Sequence, residues 1–587
     1  MNEILQLKGT FESAKNKGTV GAPSLPKGQK VEVHHIRSLI SQLVEIKNYW
    51  HDHPDIKGAL ISVHYDRVVA KSHRIKCLLK EAGKTTNVSI RGSKFEHHNG
   101  NICHVFTHFI NLDALYNTIN MLQEIENIMV YYFNGTITNI ELKKINKKGI
   151  FDTKYSKSTL SKAIVDCFYV SYFAIDKDLN ESPKDSIVTV YKTGVDSVEL
   201  LQSIGINLGK MKMLNETTFH LKKEDLDILK QSMPYLIAMS VSDISEWNKE
   251  DILDNHYDEE IITIPDPINE PTIGVIDTQF DDQVYFSKWV DSKNLVDSNI
   301  EIRPKDKEHG TAVCSIIVDG PTINPNLDDG CGRFKVRHFG VAVEGKFSSI
   351  SVLKNIEKIV KKNLDIKVWN LSLGSKNEIR ENYISPEAAE LDRIQSEYDV
   401  VFVISGTNTP DGKKHSDMKV GTNKGSSTKE NMKIGAPADS INSIVVNSVD
   451  FSNQPASYGR CGPVLSFFHK PDVSYYGGDV DKAIDVCEPL GKWGRIGTSY
   501  AAPWISRKMA YLIHKMGFSR EVAKALLIDS AAGWNRRDDH TFRVGFGVVP
   551  RKIEDILKTN EDEVKFILSG TVNNYETFTY NIPVPRD

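Results

Sequence analysis

The feature that most restricts the fold is a rhythm in the second half of the chain. Short apolar runs at Thr272–Ile276, Lys335–Val343, Lys367–Leu371, Val400–Ile404 and Ser443–Val449 are separated by stretches long enough to hold helices. Strands that are apolar on both faces suit a sheet covered on both sides. Parallel strands also need crossovers of about a dozen residues or more. The expected fold class is therefore α/β, a mostly parallel sheet with helices on both faces.

With 587 residues, 40% of them hydrophobic, the chain can bury more than one core. Residues 14–30 are rich in Lys, Gly and Pro and read as an exposed arm. Ile36, Leu39, Ile40, Leu43 and Ile46 then recur at helical spacing. Strand-like runs follow at Gly58–His64 and Cys103–Ile110, then a helix through Leu112–Glu126 and an apolar run at Ile128–Phe133. A second unit of similar type places strands at Ser186–Tyr191, Asn215–His220 and Leu236–Val241, with helices at Asp196–Ile204 and Lys223–Met233. That is the split β-α-β order of ferredoxin-like folds.

The expected organisation has five parts. They are an α+β region (1–183), a ferredoxin-like unit (184–245), an acidic linker with prolines (246–270), the α/β domain (271–555) and a β-rich tail (556–587). Two strands alone make no stable sheet, so the tail packs on the α/β domain or opens a further β domain.

The formal net charge of −4 gives no electrostatic footprint for nucleic acid or an anionic membrane. No run of about 18 apolar residues suggests a membrane span. The polar start MNEILQLKGTFESAKNKGT lacks the apolar centre of a secretory signal. Seven widely spaced cysteines read as isolated thiols of a reducing compartment, so a cytoplasmic location is expected. There is no CxxC or HExxH, and no dedicated zinc site is expected.

Three segments carry chemistry. In Ile273-Gly-Val-Ile-Asp277-Thr278 an acid ends a buried strand; alone, it reads equally as a turn cap. In Glu308-His309-Gly310-Thr311-Ala312-Val313-Cys314 a His opens a helix of small and apolar residues; alone, it reads as a core or capping His. In Gly497-Thr498-Ser499-Tyr500-Ala501-Ala502-Pro503 a Ser precedes a helical run, Trp504–Met516, at the positive end of the helix dipole. Alone, it reads as an N-cap. Pro503 is expected in that helix's first turn, where no N–H is missed.

Together, in the order Asp, His, Ser, the segments resemble the subtilase family of serine proteases over about residues 271–550. The resemblance implies a subtilisin-like sheet and a triad of Asp277, His309 and Ser499. Trp369-Asn-Leu-Ser-Leu-Gly374, Ala456-Ser-Tyr-Gly-Arg-Cys-Gly462 and Lys470-Pro-Asp-Val473 are similar to further family segments. It implies that Ser372, Leu373 and Gly374 line the substrate cleft. It also implies an oxyanion-hole Asn after a strand, in an Ala-Gly-Asn setting. Here Ser405-Gly406-Thr407-Asn408 follows, so Thr407 holds the gapless position and Asn408 comes one place later. Asn408 is the favoured donor, because a carboxamide N–H reaches better than a short hydroxyl. Many subtilases bind calcium, but no Asp-rich loop here supports it; Asp281 and Asp282 read as solvated or substrate-facing. No cofactor is expected.

Subtilases commonly carry a ferredoxin-like propeptide, which is one reading of residues 184–245; an ordinary α/β module is the other. The whole chain is also similar to bacterial intracellular subtilases paired with an AAA+ ATPase in anti-phage defence. The residues that carry this are Leu5–Ser13, Gly21–Lys27, Leu60–Val63, Ile434–Ile441 and Lys470–Gly477. That resemblance implies an ATPase partner and a protease silent until infection, restrained by its N-terminal region. A housekeeping intracellular peptidase, and a catalytically dead fold that binds peptides or partners, remain alternatives.

Overall fold

A computed structural model describes residues 2–3, 5–6, 22–98, 100–145, 151–177, 185–207, 212–242, 255–257, 263–343, 349–375, 378–380, 382, 384–409, 433–465, 468–479, 481–532 and 543–568. The chain divides into two compact units, Gly18–Asp243 and Met1–Lys17 with Ile244–Asp587.

Gly18–Asp243 holds two four-stranded antiparallel sheets. The first runs Ile90–His98, Asn101–Ile110, Ala59–Tyr65, Val170–Ala174. The second runs Lys212–Asn215, Thr218–Leu221, Ser186–Val190, Ile237–Ser242. Counted along the chain, the strands of both sheets lie in the order 2-3-1-4. In the second sheet the helices Ser197–Ser203 and Lys223–Ser232 make the crossovers, which completes a ferredoxin-like order. The Asp196 carboxylate starts the first of these helices by accepting from the N–H groups of Val198 and Glu199. The apolar run Ile128–Phe133 is the end of one long helix, Leu112–Phe133. A single apolar core joins Leu25, Leu43 and Leu122 to Phe219 and Leu229, so both sheets share it. Leu25 therefore anchors part of the expected arm, while residues 14–21 lie outside the described residues.

The other unit is built on a seven-stranded sheet. Its strands are β1 Thr272–Asp277, β2 Val290–Asn294, β3 Lys335–Gly340, β4 Val368–Leu371, β5 Val401–Ser405, β6 Ile444–Val449 and β7 Val473–Tyr476. Their spatial order is β2-β3-β1-β4-β5-β6-β7, and every neighbouring pair is parallel. This is the subtilisin-like α/β architecture. From β1 the chain builds β2 and β3 to one side, then returns to place β4 on the other. The sheet thus reverses between β1 and β4, where open α/β sheets form their crevice at the carboxyl ends of the strands. Gly274 makes that neighbourhood tight: a Cβ there would sit 2.2 Å from the Trp369 ring on β4.

Strand β2 is mostly polar and exposed, as an edge strand can be, and so it carries no apolar signal. Two helices bring the other chemistry to the sheet, α1 Glu308–Ile323 and α2 Thr498–Ala510. Most of α2 is buried, including Arg507, whose guanidinium lies 2.8 Å from the equally buried Asp329. A cation is tolerated there because its partner is in place.

Short pairings close this unit. Asn2–Glu3 pairs with Lys558–Thr559, and Leu5–Gln6 pairs with Phe566–Ile567. The rest of the expected tail strands, residues 569–587, lies outside the described residues. Within the expected linker, Asn255–Tyr257 pairs with the strand Gly491–Arg495, which leads directly to Ser499; residues 246–254 and 258–262 lie outside the described residues. Among the described residues, no helix is long and apolar enough to cross a membrane.

Candidate active site

Asp277 closes β1 and is completely buried. A buried carboxylate needs donors, and two are close. Its Oδ1 accepts the Thr278 backbone N–H at 2.7 Å and lies 2.6 Å from Nδ1 of His309. His309 is the second residue of α1 and is also buried. The next residue explains the close approach of helix and strand end. A Cβ on Gly310 would lie 2.5 Å from the Gln279 carbonyl oxygen and 2.8 Å from that of Thr278. The Gly310 N–H instead donates to the Thr278 hydroxyl at 3.0 Å. The Asp-Thr and His-Gly pairs are thus bonded to each other as a unit.

Ser499 is the second residue of α2. The ring of Tyr500, one residue on, lies 5.9 Å from the His309 ring, which sets the start of this helix beside the histidine. The Ser499 hydroxyl donates to the Ser372 carbonyl, and the Ser372 hydroxyl donates to the Ser499 carbonyl, both at 3.3 Å. Pro503 corrects the expectation drawn from sequence. Because α2 begins at Thr498, Pro503 falls in the second turn and not the first. It has no N–H to give the carbonyl four residues back, which is that of Ser499. The Ser372 hydroxyl takes over that role.

The structure separates Asn408 from Thr407. Thr407 follows β5 with φ at +64°, a left-handed value that is costly for a β-branched residue. Its hydroxyl donates to the Gly406 carbonyl at 2.6 Å and accepts the Gly435 N–H at 3.0 Å. Its methyl packs on Gly374, 2.6 Å from where a Cβ would be. The left-handed turn sends Asn408 toward α2. The Asn408 Oδ1 accepts the Thr498 N–H at 3.1 Å and the Thr498 hydroxyl at 2.9 Å. With the oxygen held, Nδ2 turns to the Gly497 side, 3.3 Å from a Cβ placed there.

Ser372, Leu373 and Gly374 leave the end of β4, and Ser372 and Leu373 are buried against their neighbours. Asp281 is not solvated: it is buried, and its carboxylate lies 3.1 Å from the Lys307 ammonium. Asp282 is exposed and accepts from the Gln283 side chain at 2.8 Å. Among the described residues, no cluster of three or more His, Cys, Asp or Glu side chains could hold a metal ion.

The arrangement thus offers a carboxylate-oriented imidazole, a hydroxyl at a helix start and amide donors around it. The sequence motifs contained Thr278, Gly310 and Thr498, but sequence reasoning gave them no roles. Their contribution is mutual hydrogen bonding, visible only once the segments meet.

The subtilase family model, peptidase S8, matches residues 241–548. Solved structures similar to the chain include the epidermin leader peptide processing serine protease from Staphylococcus aureus, 18% identical, covering 65% of this chain and 100% of that one, with a TM-score of 0.42. The prenylagaramide maturation protease is 20% identical and covers 49% of this chain and 92% of its own, with a TM-score of 0.36. The patellamide maturation protease is 15% identical and covers 49% and 95%, with a TM-score of 0.34. No curated protein matches the chain. With more than half of its length matched by the family model, the chain belongs to the subtilase family of serine endopeptidases.

Proposed function

We propose that this endopeptidase works through Ser499 as nucleophile, His309 as general base and acid, and Asp277 as the carboxylate that orients the imidazole. The observation that carries this reading is the 2.6 Å contact of His309 Nδ1 with the buried Asp277. In this reading the contact keeps the proton on Nδ1, so that Nε2 serves Ser499, and stabilises the imidazolium. Ser499 Oγ bonds to the substrate carbonyl carbon as its proton passes to Nε2. The C–N bond then breaks as the same proton passes to the leaving amine, and water releases the acyl group by the reverse route. The Asn408 amide and the Ser499 backbone N–H are the donors for the oxyanion. The backbone of Ser372–Gly374 pairs with the extended substrate, a mode tolerant of side chains.

The wider reading places the enzyme in the cytoplasm, in anti-phage defence with an AAA+ ATPase partner. The N-terminal motifs Leu5–Ser13 and Gly21–Lys27 support it by resemblance. In this reading residues 184–245 or 246–270 restrain the cleft until the trigger arrives.

Labelling with a fluorophosphonate tests both levels, using the full chain and Ser499→Ala, each alone and with the ATPase. Labelling of the wild type only is expected. Labelling that appears only with the ATPase supports restraint, and equal labelling without it counts against partner control. A folded wild type that never labels would make the chain a binding module on an inactive fold.

A further inference from the structure

We infer that His338 is a positioning residue of the hydrolytic site, a polar wedge that sets the end of β1 against the start of α1. The inference rests on the triad reading above. Strand β3 is otherwise suited to an apolar interior, with Val336 and Phe339 buried, and a buried imidazole is costly where Val would serve. In register, His338 stands beside Val275 and Gly340 beside Asp277. Residues two apart share a face of a strand, so His338 lies on the Asp277 face, the one that α1 covers.

Both ring nitrogens face groups that matter. Nδ1 lies 3.0 Å from the hydroxyl of Ser292 on β2. Nε2 lies 3.1 Å from where a Gly310 Cβ would sit, the same spot crowded by the carbonyls of Thr278 and Gln279. The ring and those carbonyls form the floor on which the residue after His309 rests. Phe280 closes one side, its ring 5.8 Å away.

The ring is neutral at neutral pH: burial pushes it down to about 4, against the opposing pull of Asp277 and a backbone contact with Thr278. A Ser292 hydroxyl donating to Nδ1 puts the single ring proton on Nε2, toward the Thr278 carbonyl. Thr278 also gives its N–H to Asp277 and receives the Gly310 N–H on its hydroxyl. Thr278 is therefore held by the acid and by the helix, and the His338 Nε2, which makes no hydrogen bond of ordinary geometry, faces the same residue. An apolar side chain of similar size would fill the volume without placing a polar N–H beside that residue.

The other unit supplies a control. His108 is equally buried, has Nδ1 2.9 Å from the Ser89 hydroxyl and is pushed down by burial to about 3. It is a buried imidazole on a serine hydroxyl in the unit that lacks the triad residues, with the direction of the bond reversed: Ser89 donates to the Thr86 carbonyl and so accepts from Nδ1.

The test begins with Ser499→Ala. If peptide hydrolysis persists, the triad reading fails, and this inference with it. If hydrolysis is lost, His338→Leu, His338→Gln and His108→Leu are compared, with rates expressed per fluorophosphonate-labelled site so that misfolded molecules drop out. His338→Leu is expected to lower kcat per site about 10- to 100-fold with KM within about twofold, and to move the acid limb of the pH profile of kcat/KM. His338→Gln, whose amide N–H can replace Nε2–H, recovers most of the loss, and His108→Leu moves neither quantity. A wild-type kcat and acid limb in His338→Leu, or an equal loss in His108→Leu, would overturn the inference. If neither His338 variant yields labelled sites, Ser292→Ala decides. Removing the hydroxyl that fixes the tautomer should shift the same limb in the same direction, and an unmoved limb would overturn the proposal.

Discussion

Among the described residues, two buried histidines form ion-pair contacts with acids, and they are built differently. His309 has Asp277 at 2.6 Å on Nδ1. His64, on the strand Ala59–Tyr65 of the other unit, lies between two acids, with Nδ1 3.2 Å from Glu96 and Nε2 3.4 Å from Asp176. Lys94 ties both acids together at 2.7 and 2.9 Å, and Tyr172 stacks on the ring at 4.1 Å. Burial works against charge on His64, but its contacts with Asp176 and Glu96 outweigh it, and its pKa is raised. Glu96 is held down to about 2, first of all by His64. A ring with an acid on each nitrogen is one whose charged form is favoured. A ring with an acid on Nδ1 can pass a proton through Nε2. In the proposed mechanism, the asymmetry of the His309 site, more than burial or the mere presence of a carboxylate, is what suits it to catalysis.

The largest expected effect tests that contrast directly. Asp277→Asn should lower kcat about 10⁴-fold, because the amide favours the wrong tautomer of His309. Asp176→Asn removes a histidine–acid contact of similar appearance and should leave kcat within about twofold. Steady-state hydrolysis of one peptide by both variants is enough, and comparable losses would break the comparison. The next effect is smaller. Asn408→Ala should cost about 10²–10³ in kcat, as removal of one oxyanion donor does. Thr407→Val removes the hydroxyl, which already gives its proton to the Gly406 carbonyl, and should cost far less. If the Thr407 variant lost as much as the Asn408 variant, the donor would be the residue at the gapless position.

That last ambiguity shows what a single sequence can convey. The strand of Asp277 and the helix of His309 are legible because each is a local pattern, an apolar run closed by an acid and a small-residue helix opened by His-Gly. The parallel sheet is legible from five apolar runs. Strand β2 is not, because Val-Asp-Ser-Lys-Asn at an edge looks like a loop. The shift from Thr407 to Asn408 depends on a positive φ at a β-branched residue, which composition argues against. The place of Pro503 depends on a helix that starts at Thr498, five residues earlier. The His64 cluster draws on residues 64, 94, 96 and 176, and the pairing of Leu5–Gln6 with Phe566–Ile567 joins opposite ends of the chain. Such contacts are set by tertiary packing and leave no local signal.

The smallest expected effect sharpens the comparison through stability. A histidine whose pKa is raised in the folded state contributes stability that is present below its unfolded value, about 6.5, and is lost as pH rises through the folded value. His64 is of this kind. His338, lowered to about 4, has the opposite sign. Its contribution is present above about 6.5 and is lost as pH falls toward 4, on the order of 3 kcal/mol in all. Thermal melts of wild type, His64→Gln and His338→Gln across pH 5 to about 9 separate the two. The gap between wild type and His64→Gln should be widest in acid and close as the pH rises. Over the same range the wild type should lose stability in acid that His338→Gln retains. A His64 gap that widened with pH would mean that Glu96 and Asp176 do not hold a cation, and the contrast with His309 would then have to rest on geometry alone.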